Sequence, residues 1–137
     1  MRITMDDYGL KLADVVKLRA ACTRRQVGAV IIDDTKRIVA TGYNGTERGA
    51  VECVDGGCPR GAFTHEQIPP GLGNDGHGVK CIAQHAEKNA IDWVLLTNTE
   101  YAAAYILRSS TLYISCSPCP DCEALAQQYG LRVVWPW

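Results

Sequence analysis

Two short segments with potential metal ligands constrain the fold of this chain more than any other feature. They are His85-Ala86-Glu87 and Pro118-Cys119-Pro120-Asp121-Cys122, and each stands where a helix is predicted to start. Cys119 and Cys122 are three positions apart, so on a helix they lie on one face and can bind one ion together. If His85 supplies a third ligand, the fold has to bring the two helix starts into contact.

The hydrophobic pattern predicts an alternation of helices and strands. Helices are predicted over 5–22, 85–97 and 119–129, and strands over 26–32, 37–43, 111–115 and 131–135. A short polar turn, Asp33-Asp34-Thr35-Lys36, joins the first two strands and predicts an antiparallel hairpin. The strand–helix–strand order in the second half predicts parallel pairing and an α/β layered domain. Residues 98–110 are ambiguous, with a further helical turn as one interpretation.

Residues 44–84 are predicted to form a long loop rich in glycine and cysteine. Ten of the 13 glycines fall between Gly42 and Gly78, and no apolar periodicity is found there. A loop of this length is usually functional, or is held by something other than a hydrophobic core. The whole chain, 1–137, is interpreted as a single domain, because its length suits one core.

Composition narrows the classes of function. The chain has 14 Lys and Arg against 15 Asp and Glu, which argues against a nucleic acid polymer as partner, because phosphate binding needs a basic excess. No apolar run approaches the roughly 18 residues of a membrane span. The start of the chain lacks a hydrophobic signal segment, so a cytoplasmic protein without membrane contact is expected. Seven cysteines in such a chain favour metal binding over a disulfide framework.

One histidine and two cysteines form an incomplete tetrahedral set for zinc. Structural zinc sites have four protein ligands, whereas catalytic sites keep one position for water, whose pKa zinc lowers to about 7. The helix N-termini are expected to lower the thiol pKa values of Cys119 and Cys122. Glu87 is expected to take a proton from the water and to deliver it to a ring nitrogen and then to the leaving amine. His-x-Glu followed by Pro-Cys-x-x-Cys is the signature of zinc nucleobase deaminases.

With these motifs the chain resembles the cytidine/deoxycytidylate deaminase superfamily, and most of all the deoxycytidylate (dCMP) deaminases. The resemblance includes Arg25-Gln26-Val27-Gly28-Ala29 and Gly42-Tyr43-Asn44-Gly45, and it covers nearly the whole chain. It implies a three-layer α/β/α sandwich with a mixed sheet, in which an antiparallel hairpin is followed by parallel strands. It also implies zinc-dependent hydrolytic deamination of dCMP to dUMP, which supplies thymidylate synthesis, and a contact between Asn44 and the sugar.

The resemblance further implies a homo-oligomer, often a hexamer, with dCTP as an activator and dTTP as an inhibitor. Family members usually continue past the fourth strand with another helix and strand, which can supply nucleotide contacts, whereas this sequence ends short of them at Trp137. Recognition of the substrate phosphate is then expected from Arg24, Arg25 or Lys80.

The remaining cysteines suggest a second, structural zinc ion, because a metal clip would stabilise the long loop. In some dCMP deaminases such an ion is held by cysteines at the positions of Cys22 and Cys53. The expected ligands are Cys22, Cys53, Cys58 and one of Cys81, His77 and His65. The alternative is that these cysteines behave as small apolar residues. Cys116 is interpreted as a packing residue at the end of a strand.

Other functions stay open at this point. A deaminase of another substrate would act on cytosine, cytidine, a guanine-type base or adenosine in tRNA, and the near-zero net charge speaks against tRNA. A zinc-stabilised binding module would hold the metal without catalysis, and a redox dithiol would leave Cys119 and Cys122 reactive and free of metal. Glu87 favours the catalytic interpretation, because a purely structural site has no use for an unligated carboxylate beside the metal.

Overall fold

A four-stranded sheet with helices on both faces forms the centre of the molecule. The structure, a computed structural model, describes residues 1–22, 24–46, 49–69, 81 and 83–136. Its helices and strands are, in chain order, α1 (Met5–Val16), β1 (Gly28–Ile32), β2 (Ile38–Tyr43), α2 (Ala86–Thr97), α3 (Glu100–Arg108), β3 (Thr111–Ile114), α4 (Pro120–Gln128) and β4 (Arg132–Val134).

The sheet is mixed, with the strands in the order β2-β1-β3-β4. β1 is antiparallel to both of its neighbours, β2 and β3, whereas β3 and β4 are parallel. The predicted hairpin and the predicted parallel pair are therefore confirmed. Because β1 has a strand on each side and helices on both faces, all 5 of its residues are buried, in agreement with its continuous apolar sequence.

The side chains of β1 alternate between two hydrophobic cores. Ala29 and Ile31 belong to the larger core, which they share with residues of α2, α3 and α4, whereas Val30 and Ile32 pack with α1. Ile31 is completely buried, and burial of a side chain of this size contributes roughly 1.5–3 kcal/mol. The predicted three-layer α/β/α sandwich is confirmed.

The first helix is shorter than the predicted 5–22. α1 passes into a 3₁₀ turn at Lys17–Arg19, and Ala20 is already extended with ψ 130°. The chain leaves the helix here because the amide of Ala21 donates a hydrogen bond of 3.3 Å to the carbonyl of Asn44. This bond ties the segment to the end of β2.

The ambiguous segment 98–110 contains a complete helix, α3. Thr99 caps it, since the threonine hydroxyl accepts a hydrogen bond of 3.2 Å from the amide of Ala102. Ala103 and Leu107 are completely buried in the larger core. The segment is thus a third helix on the same face of the sheet as α2 and α4.

Gly42 lets β2 approach α2 closely. A Cβ atom at this position would lie 2.3 Å from the carbonyl oxygen of Ala86 and 2.6 Å from the amide nitrogen of Ala90. Only a residue without a side chain fits such a contact. The contact fixes the first turn of α2, which begins directly after His85 and carries Glu87.

The described part of the loop 44–84 contains two 3₁₀ turns, at Cys53–Asp55 and Pro59–Ala62. The loop is closed at its base by an antiparallel bridge between Gly45 and Gln84, with N–O distances of 3.2 and 2.6 Å. The bridge brings the end of the loop back to β2 just before α2 begins. Within the described ranges, no helix has the length and apolar character needed to cross a membrane.

Candidate active site

The starts of α2 and α4 lie next to each other. His85 is the N-terminal capping residue of α2, and Cys119 is that of α4. The Nδ1 atom of His85 lies 3.2 Å from Sγ of Cys122 and 3.3 Å from Sγ of Cys119. The structure therefore brings together the three side chains that the sequence predicts as ligands of one ion.

The local sequence of α4 explains the geometry of the cysteine pair. Pro120 occupies the first helical position, where a missing amide hydrogen loses no helical hydrogen bond. Sγ of Cys119 accepts a hydrogen bond of 3.4 Å from the amide of Cys122. Both sulfur atoms thus lie at the helix start, on the side that faces His85.

Glu87 joins this cluster from the first turn of α2. The residue is only 4% exposed, and a carboxylate oxygen lies within 4.8 Å of the ligand atoms of His85, Cys119 and Cys122. Among the described residues, Glu87 forms no ion pair with a lysine or arginine. Buried charges in proteins are paired or coordinate metals. The set of one imidazole, two thiols and a neighbouring carboxylate therefore fits a zinc ion.

The surroundings of Cys122 affect the acidity of its thiol. Burial raises the pKa of this thiol, and the adjacent Glu87 and Cys119 raise it further. Loss of water and two electron-rich neighbours therefore oppose the lowering of this pKa that is expected from the helix N-terminus. A cation bound at this cluster would favour the thiolate form of both cysteines.

Asn44 is held in one orientation by the segment before β1. Its Oδ1 atom accepts a hydrogen bond of 2.8 Å from the amide of Val27, and its Nδ2 atom donates one of 2.7 Å to the carbonyl of Arg25. These bonds leave one Nδ2 hydrogen and further acceptor capacity on Oδ1. The contact between Asn44 and a substrate sugar stays a prediction.

The two adjacent arginines have different surroundings. The guanidinium of Arg24 donates hydrogen bonds to three loop carbonyls, those of Phe63 (2.9 Å), Thr64 (3.2 Å) and Ile68 (2.5 Å). Arg25 is exposed, and its positive charge lowers the pKa of the Cys116 thiol. Lys80, the third residue predicted to bind phosphate, lies outside the described residues.

Cys116 is a packing residue whose thiol is within electrostatic range of two charged side chains. It packs against the larger core as predicted. Burial raises the pKa of its thiol, Arg25 lowers this pKa, and Glu87 raises it. Both the arginine and the buried carboxylate therefore influence the pKa of this thiol. The one sequence signal for this position is that Cys116 follows β3 three residues before Cys119.

A second group of thiols lies at the base of the loop. It consists of Cys22, Cys53, Cys58 and Cys81. Cys53 and Cys58 are 3% and 4% exposed, and Sγ of Cys58 lies 3.9 Å from Sγ of Cys81. Burial raises the pKa of Cys53 to about 12, and the charges of Cys58, Cys22 and Cys81 add to this rise. The structure thus clusters Cys53, Cys58 and Cys81, but among the described residues the one group whose ligand atoms all lie within 4.8 Å of one another is His85, Glu87, Cys119 and Cys122.

Of the two histidines predicted as alternative ligands, His65 is not in this group. Nε2 of His65 lies 3.0 Å from the carbonyl oxygen of Arg24. His77 lies outside the described residues. Of the three candidates for the fourth ligand, the structure therefore brings Cys81 next to the other cysteines.

The sequence was compared with known proteins. Residues 3–135 match the family model of the cytidine and deoxycytidylate deaminase zinc-binding region. The deoxycytidylate deaminase of Mycobacterium phage D29 is 37% identical over 96% of this chain and 93% of its own length. The deoxycytidylate deaminase of Saccharomyces cerevisiae (strain ATCC 204508 / S288c) is 35% identical over 98% of this chain, but the match spans 38% of the yeast protein.

A solved structure with the same fold is the dCMP deaminase of the cyanophage S-TIM5 in complex with dCMP and dUMP. It aligns with a TM-score of 0.68 and 23% identity over 98% of this chain and 82% of the phage chain. At this identity the likeness shows the fold alone. The family model and the mycobacteriophage relative, which match nearly the whole sequence, show that this chain belongs to the cytidine and deoxycytidylate deaminase family and carries its zinc-binding region.

Proposed function

We propose that this chain catalyses the zinc-dependent hydrolytic deamination of dCMP to dUMP, releasing ammonia. The observation that carries the proposal is the buried carboxylate of Glu87 beside one imidazole and two thiols. Relatives named deoxycytidylate deaminase, including one that the chain spans over 93% of its length, support dCMP as the substrate.

The proposed metal ligands are His85, Cys119 and Cys122. Three protein ligands leave one position for water, as in catalytic zinc sites. Zinc bound there would lower the pKa of water to about 7 and so supply a nucleophile at neutral pH. His85 lies at the start of α2 and both cysteines at the start of α4, so the ligand set depends on the packing of α2 against α4.

Glu87 is the proposed proton carrier. Its carboxylate takes a proton from the attacking water and donates it to the ring nitrogen beside the reacting carbon. It then takes the proton of the hydroxyl group now on that carbon and delivers it to the amine, which leaves as ammonia when the carbon–nitrogen bond breaks. Burial of the side chain and the absence of a basic partner among the described residues keep the carboxylate available for this transfer. Asn44, oriented by Val27 and Arg25, is proposed to hold the sugar.

To test this proposal, deamination is followed as the loss of absorbance of the cytosine ring, and the rate of the wild type is compared with that of Glu87→Gln. The amide keeps the shape of the carboxylate but cannot carry the proton, so kcat should fall by about 10²–10⁴-fold. Zinc per chain, measured by elemental analysis, should stay unchanged. Activity that survives in Glu87→Gln would refute the role of Glu87. A panel of dCMP, CMP, deoxycytidine, cytidine, cytosine and guanine then tests the substrate.

A second zinc ion is proposed at Cys22, Cys53, Cys58 and Cys81. The support is the burial of Cys53 and Cys58 and the 3.9 Å separation of the Cys58 and Cys81 sulfur atoms. Elemental analysis should find two zinc ions per chain in the purified protein and one in Cys58→Ala. One ion per chain in both proteins would contradict this site.

A homo-oligomer, such as a hexamer, is proposed from the surface of α2 and α3. Four large side chains on these helices are exposed: Trp93 (45%), Leu96 (79%), Tyr101 (86%) and Tyr105 (53%). Apolar surface of this kind is typical of an interaction face. Sedimentation of the purified protein tests the assembly, and a monomer at micromolar concentration would contradict it.

Regulation by dCTP and dTTP and a cytoplasmic location are proposed from family membership, and adding each nucleotide to the assay tests the regulation.

A further inference from the structure

Two hydrogen bonds join the start of β1 to the residue that directly follows β3. The amide of Ser115 donates to the carbonyl of Gly28 at 3.0 Å, which continues the antiparallel ladder by one residue pair. In such a pair the second bond runs from the amide of one residue to the main-chain carbonyl of the other. Here the amide of Gly28 donates to Oγ of Ser115 instead, also at 3.0 Å. The serine side chain thus takes the place of a main-chain acceptor where the chain leaves the sheet and runs to Cys119.

The preceding amide, that of Val27, is bound by a side chain from the other neighbouring strand. It donates a hydrogen bond of 2.8 Å to Oδ1 of Asn44, and the amide of Asn44 donates one of 3.3 Å to the Val27 carbonyl. Asn44 directly follows β2 and Ser115 directly follows β3, and these strands lie on the two sides of β1. The segment Val27-Gly28 therefore links the residue proposed to hold the sugar with the segment that leads to Cys119.

This link is packed tightly against the helices on both faces of the sheet. A Cβ atom at Gly28 would lie 2.2 Å from the carbonyl oxygen of Ala13 and 2.5 Å from the amide nitrogen of Lys17, so the main chain of Gly28 is in direct contact with the end of α1. Val27 is buried in the larger core on the opposite face. The two amides are therefore fixed in position, and the side chains that bind them are fixed relative to each other.

We propose that Ser115 is a positioning residue whose hydroxyl sets the distance between Asn44 and Cys119. A substrate whose sugar lies at Asn44 then presents its ring to Glu87 and the metal ligands. This inference rests on the proposed function and deepens it. A substrate bound at two points reacts only when the points are correctly spaced, and a misplacement of about 1 Å lowers the rate by about 10²-fold.

The first variant is Ser115→Ala, which removes the acceptor of the Gly28 amide and keeps the main-chain bond from residue 115. The value of kcat for dCMP should fall by about 10- to 100-fold, because the ring is no longer aligned with the catalytic groups. KM should stay within about threefold, because no group proposed to contact the substrate is lost. Ser115→Thr keeps a hydroxyl on the same carbon and should restore kcat to within about threefold of the wild type. Zinc per chain should be the same in the wild type and both variants.

A double-mutant cycle with Asn44→Ala separates positioning from a loss of stability. If Ser115 acts by spacing Asn44 from the metal ligands, Ser115→Ala should lower kcat by less than about threefold once Asn44 is absent. A merely structural role would give the same fold-change with and without Asn44. The matched control is Ser109→Ala, which removes hydroxyl bonds of 2.9 and 3.2 Å at the end of α3 and should leave kcat unchanged.

Nuclear magnetic resonance makes the result independent of turnover. The side-chain amide of Asn44 donates to the Arg25 carbonyl, and the main-chain amide of Cys122 donates to Sγ of Cys119, so their signals report on the two ends of the link. Ser115→Ala should shift both signals, Ser115→Thr should return them towards the wild-type positions, and Ser109→Ala should shift neither.

Three results would overturn the positioning role: an unchanged kcat in Ser115→Ala, a fall of equal size with and without Asn44, or a loss of zinc in Ser115→Ala. If the wild type deaminates none of the compounds in the panel while both amide signals shift, the proposed function fails and the link stands. If the wild type deaminates dCMP while neither kcat nor the two signals respond to Ser115→Ala, only the positioning role fails.

Discussion

Replacing Gly42 with alanine should disturb the site without removing any of its functional groups. The new Cβ would lie 2.3 Å from the carbonyl oxygen of Ala86 and 2.6 Å from the amide nitrogen of Ala90. Non-bonded heavy atoms prefer separations of about 3.5 Å, so β2 or α2 has to move by about 1 Å. Overpacking of this kind costs about 1–3 kcal/mol of folding free energy. The melting temperature should therefore fall by roughly 3–10 °C.

The functional effect should exceed the loss of stability, because the displaced turn carries Glu87 and directly follows His85. A misplacement of about 1 Å in a catalytic site lowers the rate by about 10²-fold. We therefore expect a fall of this size in kcat for dCMP at 25 °C, where the variant is still folded. Circular dichroism, zinc content and the deamination rate are measured on the same preparation.

Gly45→Ala is the matched control for stability. Its Cβ would lie 3.4 Å from the Cβ and 3.9 Å from the amide nitrogen of Ala21, which are ordinary contacts. Its melting temperature should stay within about 2 °C of the wild type. A Gly42→Ala protein with an unchanged melting temperature, zinc content and rate would refute the reasoning, because the helix would then tolerate the shift.

Two further predictions concern hydrogen-bonded side chains. Asp6→Asn should lower the melting temperature at pH 7, since hydrogen bonds from Arg132 and Tyr113 hold the pKa of Asp6 below its ordinary value of 3.8. This stabilisation is present above about pH 4 and is lost as the pH falls through the folded-state pKa, so a difference that persists in melts at lower pH would point to another cause. Asn44→Ala should cost about 1–3 kcal/mol in denaturant unfolding, because the buried amide of Val27 loses its acceptor, and an unchanged midpoint would contradict this.

Local patterns were sufficient to predict the starts of the two helices at the site. His85 and Cys119 directly precede the first residues of α2 and α4. Pro120 indicates the start of α4 in the sequence itself. The continuous apolar run of β1 predicted a central strand, and β1 has a neighbour on each side. These features depend on residues close in sequence, so composition and spacing reveal them.

Features that depend on distant parts of the chain could not be predicted in this way. Nothing around Arg24 indicates that its guanidinium binds carbonyls about 40 residues later, because any residue offers a carbonyl. The raised pKa of Cys122 follows from burial and from Glu87 on another helix, neither of which the Cys-x-x-Cys spacing shows. The helix α3 remained ambiguous because its alanines present only a narrow apolar stripe.

The two helix starts at the site differ in how they are capped. The Cys119 side chain accepts a hydrogen bond from an amide of α4, whereas His85 makes no side-chain bond to the amides of α2. A helix end without a cap is less stable by about 1 kcal/mol. A metal ion that binds only the folded state stabilises that state, and the stabilisation increases with the affinity of the ion. In chelator-treated protein, the first amides of α2 should therefore exchange with deuterium faster than those of α4, and added zinc should slow α2 more.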